Sequence, residues 1–209
     1  MNRRVFAVVP LLLVSLFAFA AQAAPKFEEE LHYFEVIPPQ PGGEAGRVKV
    51  LEFFMYGCTH CFDLEPHVNA WKQRKPENVD VVLVPAMFQR PDIVMHAETF
   101  YALKLMGESE RMHERIFEAI HVQNRNLRTQ MAMEKLLEEH GVDIEAYRKA
   151  MKSFAVKTQA NRAALLAKRF DIRGVPAIVV DGKYRTGGLH GDVMMEVTDY
   201  LIERVQQER

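Results

Sequence analysis

Cys58 and Cys61 are the two cysteines of this chain, and they stand three residues apart. A disulfide between them closes a very short loop. Chain entropy assigns it roughly 2 kcal/mol, about half the value of a ~100-residue loop. Such a bridge staples almost nothing, so the fold has to be held by a hydrophobic core rather than by crosslinks. The length of 209 residues suits one sizeable domain, or one domain carrying an insertion.

The start of the chain sharpens the meaning of that pair. Arg3 and Arg4 precede an apolar run over residues 5–20, and Ala21-Gln22-Ala23 follows. Positive, apolar and Ala-x-Ala segments in that order describe a secretory signal peptide, residues 1–23, cut after Ala23. The run is short for a membrane anchor and lacks a basic stop-transfer patch. No later stretch approaches spanning length, so a soluble exported protein is expected. Its formal charge of −1, or −3 once Arg3 and Arg4 have left, is too mild for nucleic acid or an acidic membrane surface as partner. Exported proteins live where disulfides form and persist. A cysteine pair that is useless as a staple there is expected to be kept for its reactivity.

Hydrophobic periodicity orders the rest. Residues 31–37 read as a strand ended by Pro38, Pro39 and Pro41-Gly42-Gly43. Residues 47–55 form a second, apolar on both faces over Val50 to Met55 except at Glu52, the pattern of a central strand. The cysteine motif then opens a helix to about Arg74, in which Pro66 is expected to make a kink. Residues 79–84 read as a third, buried strand. Helical periodicity follows over residues 92–170, with Met95, Thr99, Leu103 and Met106 on one face and Met112, Ile116, Phe117 and Ile120 on another. Gly141 ends one of these helices and Asp143 caps the next. Asp181-Gly182 between the strand-like runs Ala177–Val180 and Lys183–Thr186 signals a hairpin, and a last helix closes the chain. The expected architecture is α/β: a central mixed sheet built from residues 24–89 and 171–209, with a helical subdomain, residues 90–170, inserted between.

A thiol attacks a disulfide only as the thiolate, and free cysteine has a pKa of about 8.5. Cys58 at the start of a helix is expected to ionise more easily, since unpaired N–H groups and the helix dipole favour negative charge there. His60, between the cysteines, adds to this when protonated. Cys61, Leu64, Val68 and Trp71 share one helical stripe facing the core, so Cys58 is assigned to attack and Cys61 to resolution. Glu65, one turn past Cys61, either accepts a proton from it through water or is a solvated flank residue. Glu52, a carboxylate in an apolar strand, either transfers protons or tunes the pair, unless it points to the sheet rim. The remaining histidines, His32, His67, His96, His113, His121, His140 and His190, show no ligand spacing and are expected mostly at the surface.

Val50-Leu51-Glu52-Phe53-Phe54, Cys58-Thr59-His60-Cys61 and Gly174-Val175-Pro176-Ala177 together resemble the DsbA family of periplasmic disulfide-forming proteins, over essentially the whole mature chain. The resemblance implies a thioredoxin-like fold with an inserted helical subdomain. It implies a redox-active Cys58–Cys61 disulfide donated to reduced, unfolded exported proteins through a mixed disulfide on Cys58. It also implies a cis Val175–Pro176 bond beside the active site, with the backbone of Val175 pairing with bound peptide. Glu52 and Glu65 match acidic residues near the buried cysteine of that family. Reoxidation by a DsbB-like membrane protein linked to quinone, a periplasmic location in a Gram-negative bacterium and a monomeric state follow in the same way. Thr59 stands where the best-known members have Pro, and the residues between the cysteines tune oxidising strength. No lysine is matched to the one that lies near the buried acid in some members.

Two other readings compete. An exported reductase or isomerase runs the same chemistry in reverse, although isomerases of this kind usually carry a dimerisation domain for which the chain has no room. A soft-metal protein would use Cys58, His60 and Cys61, but structural zinc wants four ligands and no further cysteine or histidine pair completes the set. Neither a metal nor another cofactor is expected.

Overall fold

The computed structural model describes residues 26–88 and 90–209, so the expected signal peptide at residues 1–23 lies outside the described residues. The sheet grows around β2 (Val48–Phe54), whose residues are nearly all buried. It pairs in parallel with β3 (Val79–Pro85) on one side and antiparallel with β4 (Ala177–Val180) on the other. Parallel neighbours need a crossover. Here α1 (Thr59–Arg74) supplies it. β5 (Tyr184–Thr186) and β1 (Tyr33–Glu35) extend the sheet, giving the mixed order β1-β5-β4-β2-β3 among the described residues. The expected first strand, residues 31–37, shrinks to three residues because Leu31 and Ile37 at its ends lie exposed at 62% and 83%. The third strand was expected to be buried. It is instead the sheet edge, with Asp80, Val81, Val82 and Leu83 only half-buried.

The turn from β4 to β5 is made by Asp181 at φ +52° and Gly182 at φ +70°. Two successive positive φ angles match the right-handed twist of the flanking strands, and the Lys183 N–H closes the turn on the Val180 carbonyl at 3.0 Å. Five helices stand between β3 and β4: α2 (Pro91–Leu105), α3 (Ser109–His121), α4 (Gln130–Glu139), α5 (Ile144–Met151) and α6 (Phe154–Arg169). Their starts follow local side-chain chemistry. Thr129, Asp143 and Ser153 each accept the N–H three residues on, from Ala132, Ala146 and Val156. α7 (Gly191–Gln207) closes the chain.

Strand alternation divides the core. Val48 and Val50 pack with Leu64, Val68 and Trp71 of α1 and with the apolar face of α7. Leu51 and Phe53, on the opposite face, pack against Ala163 and Ala167 of α6. Phe54, Tyr56 and Cys61 belong to a third cluster built mainly from α2 to α5. The inserted helices therefore close over the end of β2 and the start of α1. That start carries the cysteine pair. α1 runs unbroken past Pro66, which lies exposed on its outer side.

Asp143 tests how far local capping contributes. Asp143→Ala should lower unfolding stability by ~1 kcal/mol, read as a shifted urea midpoint with an unchanged slope.

Candidate active site

Cys58 is the N-cap of α1, extended at φ −95° and ψ 114°. Its sulfur accepts the backbone N–H of Cys61 at 3.2 Å. Both cysteines are free thiols in this structure; Cys58 is half-buried and Cys61 is buried. The Cys61 thiol donating toward Cys58 is the largest influence on Cys58, followed among the stabilising ones by the Cys61 backbone N–H and the charge of His60. Against partial burial, these hold the Cys58 thiol down at about 7. The same hydrogen bond, together with burial and the nearby Cys58 charge, drives Cys61 upward. One proton thus stays on Cys61 while Cys58 ionises. The helix stripe had placed Cys61 toward the core, where it is buried.

His60 and Thr59 lie exposed in the first turn of α1. The His60 ring stands 4.9 Å, centroid to centroid, from that of His190, which occupies the N-cap position of α7 without a side-chain capping bond. The Val175–Pro176 bond is cis. The Val175 carbonyl oxygen lies 3.4 Å from Cys58 Sγ, although the two residues are 117 positions apart. Val175 and Pro176 also line a groove of about 270 Å³ with Phe34, Leu189 and His190. A larger hollow of about 420 Å³ lies against Met55, Tyr56 and Gly57 but includes neither cysteine.

Below the pair lies a set of buried charges. Glu52 does not point to the sheet rim; it is 3% exposed, on the β2 face that α1 covers. Its Oε2 has no hydrogen-bond partner, and Lys72 Nζ approaches to 3.8 Å, an ion pair rather than a hydrogen bond. Burial pushes the Glu52 carboxyl up to about 7; Lys72 opposes this and Glu65 adds to it. The Glu52 charge also bears on Cys61. Lys72 is the cationic partner that the sequence did not reveal. Its position on α1, twenty residues from Glu52, carries no local signal. Glu65 is buried rather than solvated, with Oε1 3.3 Å from His113 Nε2.

The histidines need the largest correction. His96 and His113 are buried, not at the surface. His96 Nε2 bonds the Leu127 carbonyl at 2.7 Å, and His113 Nδ1 bonds the Tyr56 hydroxyl at 3.1 Å. His121 Nε2 bonds the Tyr56 carbonyl at 2.7 Å while its ring stacks on Phe62. One signal for His113 was available: it precedes Phe117 by four residues and so borders the inward face of α3. Among the described residues no group of three or more His, Cys, Asp or Glu is arranged to hold a metal ion.

The family model for the DSBA-like thioredoxin domain matches residues 49–203. The chain belongs to the DsbA family. It is 40% identical to the thiol:disulfide interchange protein DsbA of Burkholderia cepacia, over 95% of this chain and 96% of that one. Against DsbA of Pseudomonas aeruginosa the identity is 37%, over 97% and 96% of the two chains. A crystal structure of Pseudomonas aeruginosa DsbA superposes with a TM-score of 0.80 at 35% identity, covering 87% of this chain and 96% of that one. DsbA from Xylella fastidiosa superposes at 0.78 with 27% identity, over 84% and 96%. The thioredoxin-like α/β fold with its helical insertion is therefore the fold of this family. The described residues hold no helix long and apolar enough to cross a membrane.

The raised Glu52 carboxyl has a consequence for stability. Between the ordinary value of 4.5 and about 7 the unfolded chain has released a proton that the folded protein keeps. Stability is therefore lost as pH rises through that window. Glu52→Gln removes this loss. Its stability gain over the wild type should grow from pH 4.5 to 7, reach up to ~3 kcal/mol and stay level above. Urea unfolding across that pH range reads it directly; a pH-independent difference would contradict it.

Proposed function

We propose that this DsbA-family thiol:disulfide oxidoreductase donates its Cys58–Cys61 disulfide to reduced, newly exported proteins in the periplasm of a Gram-negative bacterium. The observation that carries this reading is the inequality of the two thiols, one half-exposed and acidic, the other buried and held protonated.

A substrate thiolate attacks Cys58 Sγ. The Cys58–Cys61 bond breaks, a substrate–Cys58 bond forms, and Cys61 leaves as a thiolate that must take up a proton. Glu52, buried and protonated up to about pH 7, is the donor assigned here. A second substrate thiolate then attacks the substrate sulfur of the mixed disulfide. The substrate disulfide forms, and Cys58 leaves as the thiolate that the Cys61 N–H and His60 stabilise. Two electrons have passed from substrate to protein. A low-pKa sulfur leaves faster, and stabilising the reduced form makes the disulfide a stronger oxidant.

In this reading the Val175 backbone and Pro176 present the peptide at Cys58, and the groove beside them accepts its flanking residues. Thr59, exposed next to Cys58, tunes the potential, and Glu65 acts through Glu52. Residues 24–89 and 171–209 form the redox domain, roofed by residues 90–170. Residues 1–23 direct export, and the protein works as a monomer. A DsbB-like membrane protein linked to quinone takes up the two electrons and restores the disulfide.

Oxidised protein mixed with a reduced, unfolded disulfide protein should consume substrate thiols. Cys61→Ala should accumulate mixed disulfides on Cys58, and Cys58→Ala should accumulate none; non-reducing electrophoresis distinguishes them. Trapping through Cys61 instead would overturn the assignment of roles. Thiolate absorbance of the reduced protein should titrate near pH 7. A midpoint at the free-cysteine value of about 8.5, with a thioredoxin-like potential, favours the reductase reading.

A further inference from the structure

His113 comes from α3, in the inserted helices, yet it touches both sides of the redox site. Its Nδ1 is 3.1 Å from the hydroxyl of Tyr56, two residues before Cys58. Its Nε2 is 3.3 Å from Oε1 of Glu65, one turn after Cys61. Its ring is enclosed by Phe54 at 4.9 Å, Phe117 at 5.2 Å and Phe100 at 6.1 Å between centroids. A neutral imidazole has one donor and one acceptor nitrogen, and the bond made by one sets the role of the other. Tyr56 is 1% exposed, and burial keeps its hydroxyl protonated. When that hydroxyl donates to Nδ1, the ring proton lies on Nε2, aimed at Glu65. In a largely buried aromatic enclosure, one such N–H counts for more than it would in solution.

We infer that His113 is a positioning residue of the redox site: with its tautomer set by Tyr56, its Nε2–H anchors the Glu65 side chain one turn beyond Cys61, and from there the Glu65 charge acts on Glu52, within electrostatic reach of Cys61. This inference rests on the reading of Glu52 as the proton holder. It gives the helical insertion a chemical part in resolving the mixed disulfide, beyond roofing the pair. The charged and titratable groups around this chain of contacts are consistent with it. Lys72 faces Glu52 from α1 and favours its ionisation; burial opposes it most strongly, and the charge of Glu65, on the same helix, adds to burial. Cys61 is the remaining neighbour of Glu52 on α1. Around Tyr56 stand His96 of α2 and Tyr147 of α5; His96 is itself committed to the Leu127 carbonyl. On this side the cation-forming group in contact with Glu65 is His113.

The test follows the Glu52 side-chain carboxyl by carbon-13 NMR through a pH titration of the reduced full chain. In the wild type its midpoint should lie near 7. H113N, whose amide reaches the Nδ1 position but not Glu65, should lower that midpoint by ~0.5–1 pH unit. H113Q, whose amide nitrogen matches Nε2, should restore it. E65Q should lower it as far as H113N does, and H113N/E65Q no further. Y56F, which frees the tautomer while keeping the packing, should lower it by a smaller amount and decides the question if H113N does not fold. A Glu52 midpoint that stays put in H113N while the denaturation midpoint falls would show a merely structural histidine and overturn the inference alone. H113Q shifting as far as H113N overturns it equally. An ordinary carboxylate midpoint in the wild type overturns the Glu52 assignment and this inference with it.

Discussion

The hydrogen bond from the Cys61 backbone to the Cys58 sulfur exists because a helix begins where β2 ends. The first N–H groups of any helix lack partners within it, and a side chain at the N-cap satisfies one of them. Here that side chain is Cys58, the sulfur to which attack is assigned in the proposed mechanism. The local energetics of starting α1 and the electrostatics of holding a thiolate are therefore one interaction. It is precise because β2 is pinned by strands on both sides and α1 is clamped by Leu64, Val68 and Trp71 beneath it. Moving the helix start by one residue would lose both the cap and the acidic thiol.

The same geometry creates a cost at the other sulfur. Cys61 faces the core one turn from the tip, where water cannot solvate a departing thiolate. Placing ionisable groups there is expensive unless they are paired or remain neutral. The protein does some of each. Glu52 lies between Lys72 and Glu65, which pull its proton in opposite directions. Glu65 in turn meets His113, and His113 meets Tyr56. Each group is partly satisfied by its neighbour, and the imbalance is left at Glu52 Oε2, which has no hydrogen-bond donor.

Much of this was legible along the chain. The apolar run of β2 with its single carboxylate, the hairpin at Asp181-Gly182, the caps at Asp143 and Cys58 and the stripe from Cys61 to Trp71 are all short-range patterns, and each reports burial or backbone geometry within a few residues. The third strand was misjudged because an edge strand packed on both faces carries the same Val-rich composition as a central one, and only the missing neighbour strand leaves it half-buried. The first was overextended because Leu31 and Ile37 are apolar but uncovered. His96 and His113 were misplaced because a histidine inside an amphipathic helix reads as polar until its partner is known.

By itself, then, the sequence determined that a cysteine pair opens a helix after a central strand, which of its two sulfurs faces the core, and that the strand carries one carboxylate among apolar residues. Only the tertiary structure decided what surrounds them. The Val175 carbonyl at Cys58, Lys72 at Glu52, and His113 between Tyr56 and Glu65 are meetings of residues 117, 20, 57 and 48 positions apart. Local propensity acts over a turn of helix or a pair of strand residues. The charge state of a buried group is set by whatever the fold brings within a few ångströms, and no spacing along the chain encodes that distance.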